Sequence, residues 1–182
     1  PIIVGPVANQ DDLHADGELG TARGASAARA VMVASSDSRY PIGQIVTASS
    51  EPVWFQVYAD AGGLEQDATR AVGAGCKAVC VTVGVSSDRT PVSTDWSVVD
   101  RLSQAVNVPV VVKGIMSVAD AQTAIQRGAQ GLVVSSHGGL VGGDGALPID
   151  VLPAVADAVN GQVPILVDGS FRRGTDVLKG LA

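Results

Sequence analysis

Short runs dominated by Val and Ile recur along the chain, at 1–5, 30–35, 53–58, 78–83, 108–114, 131–136 and 163–169. Each is apolar almost throughout rather than alternating, the pattern of a strand covered on both faces in a parallel sheet. Between them, 64–76, 117–130 and 148–161 carry apolar residues at helical spacing and finish near a glycine. Strand starts recur roughly every 22 to 33 residues, the length of one βα unit. The pattern predicts an α/β fold with seven such units. A (β/α)8 barrel needs eight and typically about 250 residues, whereas a doubly wound sheet of seven strands would be complete at 182 residues. Periodicity leaves both open.

Composition narrows the picture. A chain that is 46% hydrophobic and 16% charged is expected to form a single well-cored domain over residues 1–182, and 22 glycines suggest many tight turns. The net charge of −6, with no run of Lys or Arg, argues against a nucleic-acid or anionic-membrane surface. No run approaches the roughly 18 apolar residues of a membrane segment. Cys76 and Cys80 have no second Cys/His pair to complete a zinc site, and read as buried thiols in a reducing cytoplasm. The chain begins at Pro1 rather than Met and stops at "VLKGLA", which reads as mid-helix, so further sequence is expected at either end.

In both architectures reactive groups gather just beyond the carboxyl ends of the strands. Those ends carry Pro6, Ser35, Gln56 with Tyr58, Thr82, Lys113, His137 and Asp168. A lysine buried at such a place needs an anionic partner, because an isolated ammonium is costly to desolvate. Gln56 and Tyr58 stand two apart and therefore share one side of their strand. The "DGSFRRG" turn, 168–174, leads from strand to helix. Its glycines let backbone N–H groups approach a phosphate, with Arg172 or Arg173 adding charge, although the same pattern also serves as a plain helix start. His137 lies between an apolar run and a glycine cluster, and reads either as a structural loop residue or as a base that titrates near neutrality. His14, in "DLHADGE", reads as exposed near a helix start.

Several stretches in order, "PIIVGPVANQ", "GELGTARGASAARAVMVASS", "WFQVY", "VVKGI", "DAQTAIQRGAQGLVVSSHGG" and "IDVLPAVADAVNGQVPILVDGSFRRGTDVLKGLA", resemble the FMN-dependent α-hydroxy acid oxidases and dehydrogenases. This is the group of glycolate oxidase, lactate oxidase and mandelate dehydrogenase. The resemblance implies a TIM-type (β/α)8 barrel whose strand ends grip FMN, with the first seven units in this chain and the eighth beyond Ala182. It implies oxidation of a 2-hydroxy acid to the 2-keto acid, electrons passing through FMN to oxygen or another acceptor, in a homotetramer. By the same mapping Lys113 sits beside the flavin ring's N1 edge, Gln56, Thr82 and Ser35 contact the ring, and the backbone of Val7 and Ala8 meets its N5. Asp168, Gly169 and above all Arg172 serve the cofactor's phosphate end. Tyr58 binds substrate, His137 is the base, and Arg89 is the candidate for a substrate-carboxylate arginine after strand four.

Three positions depart from the family's pattern. The family's Ser-Asn-His-Gly-Gly-Arg reads Ser-Ser-His-Gly-Gly-Leu here, so Ser136 replaces the asparagine and Leu140 the arginine that grips the carboxylate. Gly84 stands where the family has an aspartate supporting the histidine, and Asp88 or Asp144 is the candidate substitute. The segment after strand four is shorter than usual. These departures sustain two further readings: an FMN-binding barrel that has lost turnover, and another phosphate-binding barrel such as an FMN-dependent isomerase. With seven units, the chain by itself is expected to hold FMN weakly or not at all.

Overall fold

The computed structural model describes residues 2–142 and 145–181. Seven strands, β1 (Ile3–Val4), β2 (Val31–Ser35), β3 (Val53–Tyr58), β4 (Val79–Thr82), β5 (Val110–Ile115), β6 (Gly131–Val134) and β7 (Ile165–Val167), form one sheet in sequential order. Every neighbouring pair is parallel. Sequential order excludes the doubly wound alternative, in which strand order reverses at a switch point. It is the order of a TIM-type barrel, of which this sheet forms seven staves. Helices α1 (Gly17–Ala27), α2 (Ile42–Ala48), α3 (Leu64–Gly73), α4 (Ser97–Ala105), α5 (Val118–Gln126), α6 (Pro148–Val159) and α7 (Gly174–Leu181) follow the strands in turn.

The apolar runs conceal an alternation. Met32, Ala34, Phe55, Val57, Val79, Val81, Val110 and Val112 belong to one buried cluster with helix residues such as Ala22, Ile45, Ala68 and Leu102. This outer layer, between sheet and helices, is the main core. Truncating Ile45 or Leu102, both fully buried, is expected to cost about 2–5 kcal/mol. The alternate positions, Val33, Ser35, Gln56, Tyr58, Cys80, Thr82, Val111 and Lys113, face the opposite side, the barrel interior, and are also buried. Both thiols are therefore buried and free as the sequence suggested, Cys76 in the outer cluster and Cys80 on the inner face. Burial pushes them up to about 11 and about 12.

Helix ends follow from local chemistry. Ser117 caps α5 by accepting the N–H of Asp120 at 3.0 Å. After α6 the chain turns out through Asn160 and Gly161, both left-handed. In β5 the pairing register with β6 shifts between Lys113 and Ile115. Gly114, at φ +109°, absorbs that shift, and a Cβ there would lie 2.5 Å from the Val83 carbonyl oxygen. The bulge keeps Lys113 on the inner face while Ile115 joins the outer cluster.

Candidate active site

Six strands contribute to one polar line on the inner face. At the end of β2 the Ser35 hydroxyl donates to Gln56 Oε1 at 3.0 Å. Gln56 Nε2 donates in turn to Thr82 Oγ1 at 2.9 Å. Strand pairing sets these side chains beside one another, because Ser35 is in register with Gln56, and Thr82 with Lys113. Lys113, 5% exposed, donates from Nζ to Ser135 Oγ at 2.9 Å and pairs with Asp168 Oδ2 at 3.0 Å. The anionic partner that its burial demands is thus Asp168, a residue the sequence reading gave to the phosphate end. Ser135, fully buried, escaped the sequence reading. Its hydroxyl joins two candidates, accepting from Lys113 and from the backbone N–H of His137 at 3.2 Å.

His137 follows directly, in a left-handed conformation at φ +49°. Its imidazole packs edge-on against Tyr58, with ring centroids 6.0 Å apart and planes at 71°. Nδ1 is buried and has no hydrogen-bond partner among the described residues. Desolvation, with the Lys113 charge adding to it, pushes the imidazole down to about 4, so it is neutral and able to accept a proton at pH 7. Tyr58 is displaced upward, mainly by burial and then by the charge of Asp37. Arg89, left-handed at φ +69°, brings Nη2 to 4.0 Å from where a Cβ on Gly138 would stand. Its positive charge reaches both Tyr58 and His137.

The loop after β4 is a short hairpin closed by an antiparallel bridge between Val85 and Pro91. Asp88 is tied into that hairpin, accepting from the Ser86 hydroxyl and from the Thr90 backbone N–H. It does not serve as a counter-charge for His137, correcting one suggestion from the sequence; Asp144, the other, lies outside the described residues. Gly84 is left-handed at φ +78°, and the Val141 side chain occupies the space where a Cβ would point, at 3.3 Å. The carboxylate whose charge does reach His137 is Asp168.

The remaining candidates frame the line at its two ends. Val7 is 50% exposed and Ala8 half-buried in the loop after β1. Gly169 at φ +112° and Ser170 at φ +61° carry the chain out of β7. The backbone N–H groups of Arg172 and Arg173, which the sequence offered to a phosphate, both donate to Asp176 Oδ2, at 3.0 and 2.9 Å. The Arg172 side chain is exposed at the mouth of this turn. His14 is exposed just ahead of α1, as expected, and its Nδ1 accepts the Asp16 N–H at 3.1 Å.

Comparison with known proteins gives this site a context. The family model described as FMN-dependent dehydrogenase matches residues 1–90 and 84–182. The two matched pieces overlap over residues 84–90, in the short hairpin after β4. An L-lactate oxidase of Roseobacter sp. (strain GAI101) is 37% identical over 227 aligned positions, covering 100% of this chain and 61% of that protein. Glycolate oxidase 3 of Arabidopsis thaliana is 31% identical, covering 100% and 62%. The crystal structure of mandelate oxidase with (S)-2-phenylpropionate superposes with a TM-score of 0.86 at 33% identity, over 99% of this chain and 60% of that one. The chain thus spans about three fifths of the length of these relatives. With the family model covering the chain from end to end, and relatives above 30% identity aligned over all of it, this chain belongs to the FMN-dependent dehydrogenase family, the FMN-dependent α-hydroxy acid oxidases.

Proposed function

We propose that the strand ends hold FMN and that the protein oxidises a 2-hydroxy acid to the 2-keto acid, with oxygen or another acceptor finally taking the electrons. The observation that carries this reading is the polar line from buried Ser35 to the half-exposed Asp168, with His137 and Tyr58 at its rim. Its donor set fits the cofactor. An amide and hydroxyls suit a ring edge of alternating N–H and C=O groups, and a buried ammonium suits a place where negative charge gathers. His137 Nδ1, buried without a partner among the described residues, adds a polar atom that those residues leave unsatisfied.

When bound, FMN supplies the two-electron acceptor. Gln56, Thr82, Ser35 and Lys113 would bind and orient it, with Asp168 as the lysine's counter-ion rather than a phosphate ligand, the backbone of Val7 and Ala8 would meet the ring, and Gly169 and Arg172 would serve its phosphate end. Tyr58 and Arg89 orient the substrate's hydroxyl and carboxylate. His137 takes up one of the two protons the hydroxy acid releases, and its neutral state at pH 7 equips it to do so. The reading places this in one barrel domain over 1–182. Homotetrameric assembly is proposed on the family resemblance alone. A reducing cytoplasm is supported by two free, buried thiols.

One observation favours a second reading, FMN binding without turnover. Val141 covers Gly84, and an imidazolium at His137 lacks a carboxylate partner within hydrogen-bonding reach among the described residues. Titration with FMN followed by anaerobic addition of lactate, glycolate and mandelate tests both. The first reading expects a yellow protein that bleaches with at least one acid. In the full-length protein, colour without bleaching selects the second reading, and absence of FMN uptake overturns both.

A further inference from the structure

We infer that Glu18 is a positioning residue: acting through Gln10, it fixes the Val7–Ala8 backbone that faces the flavin, an inference that rests on the FMN-binding reading. Glu18 lies in the first turn of α1 and is fully buried. Its Oε1 accepts the backbone N–H of Gln10 at 3.2 Å, while Oε2 is buried with no partner among the described residues. The Gln10 side chain carries the tether onward. Its Nε2 donates to the Val7 carbonyl at 3.0 Å, and its Oε1 accepts from the Thr21 hydroxyl, also on α1.

This arrangement is expensive unless it does something. A fully buried carboxylate with one of its oxygens unsatisfied costs more than a packed apolar side chain of the same size. Local rules are typically broken in this way where a site must be held. What it holds cannot be held by packing, because Val7 is 50% exposed and has no core to settle into. The rest of the loop is drawn tight in the same direction. The Asn9 N–H donates to the Asp37 carbonyl at 3.3 Å, and a Cβ on the left-handed Gly17 would meet Asp11 N and the Tyr40 ring, both at 3.2 Å. The loop therefore hangs from α1 by two buried side chains, and the face it presents to the cofactor is set by them.

The test compares Glu18→Ala and Glu18→Gln by amide hydrogen exchange without FMN, and by FMN affinity and the visible spectrum of the bound flavin. Loss of the acceptor in Glu18→Ala is expected to speed exchange of the Gln10 amide on the order of 10- to 100-fold. It should also weaken FMN roughly tenfold and shift the flavin bands, with β3–β5 amides unchanged. Glu18→Gln keeps an acceptor oxygen and should rescue all three readouts. Thr21→Val, which loosens the same tether without opening the core, should move them less but in the same direction, so a Glu18→Ala variant that misfolds still leaves the inference exposed to test. Unchanged Gln10 exchange in Glu18→Ala, or equal losses in Glu18→Gln, overturns it. An unaltered full-length protein that takes up no FMN overturns the cofactor reading instead, and Gln10 exchange then still decides whether Glu18 holds the loop.

Discussion

Lys113 and Asp168 form an ion pair, Nζ to Oδ2 at 3.0 Å, although β5, which carries the lysine, and β7, which the aspartate directly follows, are not neighbours. β6 runs between β5 and β7, and Lys113 reaches across it on the inner face. The lysine side chain is 7% exposed and the aspartate 41%, so removing the aspartate leaves a buried ammonium with the Ser135 hydroxyl as its polar contact. Asp168→Ala is expected to cost about 1–3 kcal/mol, less than a fully buried pair because water reaches Asp168. Lys113→Met, which removes the charge that needed a partner, should cost less stability and yet weaken FMN more. Urea denaturation alongside FMN titration separates the two effects; equal losses in both variants and both measurements would count against the pair.

Gly114 makes the second case. A Cβ there would stand 2.5 Å from a backbone carbonyl in a left-handed conformation, so Gly114→Ala must shift β4 against β5. The expected loss is about 1–3 kcal/mol or more, together with weaker FMN binding because Lys113 moves with the bulge. Gly24, in α1 with open space at its Cβ, is the control, and Gly24→Ala should stabilise by roughly 0.5–1 kcal/mol. A neutral Gly114→Ala, read by thermal unfolding, would mean the bulge is not fixed by this contact.

The histidine makes stability depend on pH. Folding holds the His137 imidazole at about 4, against 6.5 for an unhindered one. As pH falls below about 6.5 the unfolded chain therefore gains a proton that the folded chain does not take up. The corresponding stability is present above that range and is lost progressively between about pH 6.5 and 4. His137→Gln removes this difference. The gap between pH 7 and pH 5 urea midpoints is expected to be larger in the unaltered protein than in the variant, and equal gaps would show that the imidazole is not buried as described.

Much of this fold can be read from the chain, and the limits are physical. The seven Val- and Ile-rich runs identify the strands because burial on both faces leaves little room for polar residues. The same uniformity hides which residues face inward, so Cys80 and Val111 cannot be told from Val79 and Val110 by pattern alone. Helix α1 is obscured by Gly17, Gly20 and Gly24, which weaken the helical signal although Ala22 and Ala25 pack into the core. Lys113, His137, Gln56 and Tyr58 were legible because each is a polar residue at the end of an apolar run. Ser135 was not, since a serine before a glycine cluster looks like loop chemistry until the lysine that it meets, 22 residues away, is in place. The Lys113–Asp168 contact, likewise, depends on strand order.

By the family resemblance Leu140 replaces an arginine that would grip a carboxylate; it lies in a turn whose Ser136 carbonyl accepts from Gly139, Leu140 and Val141 at 3.0, 2.8 and 2.9 Å. A charged bond of that kind contributes about 1.5–3 kcal/mol, or roughly 10- to 150-fold in kcat/KM. Leu140→Arg is expected to raise kcat/KM for lactate more than for mandelate, whose ring gains contact with leucine that lactate cannot. No gain for either acid would assign the carboxylate to Arg89.

The most direct measurement is the rate of anaerobic flavin reduction by a 2-hydroxy acid in the FMN-loaded protein, with and without His137→Gln. The variant is expected to keep its FMN and to reduce it more slowly by at least ~10²-fold, the lower range for loss of a general base. Reduction at an unchanged rate, with FMN bound equally well, would contradict the account.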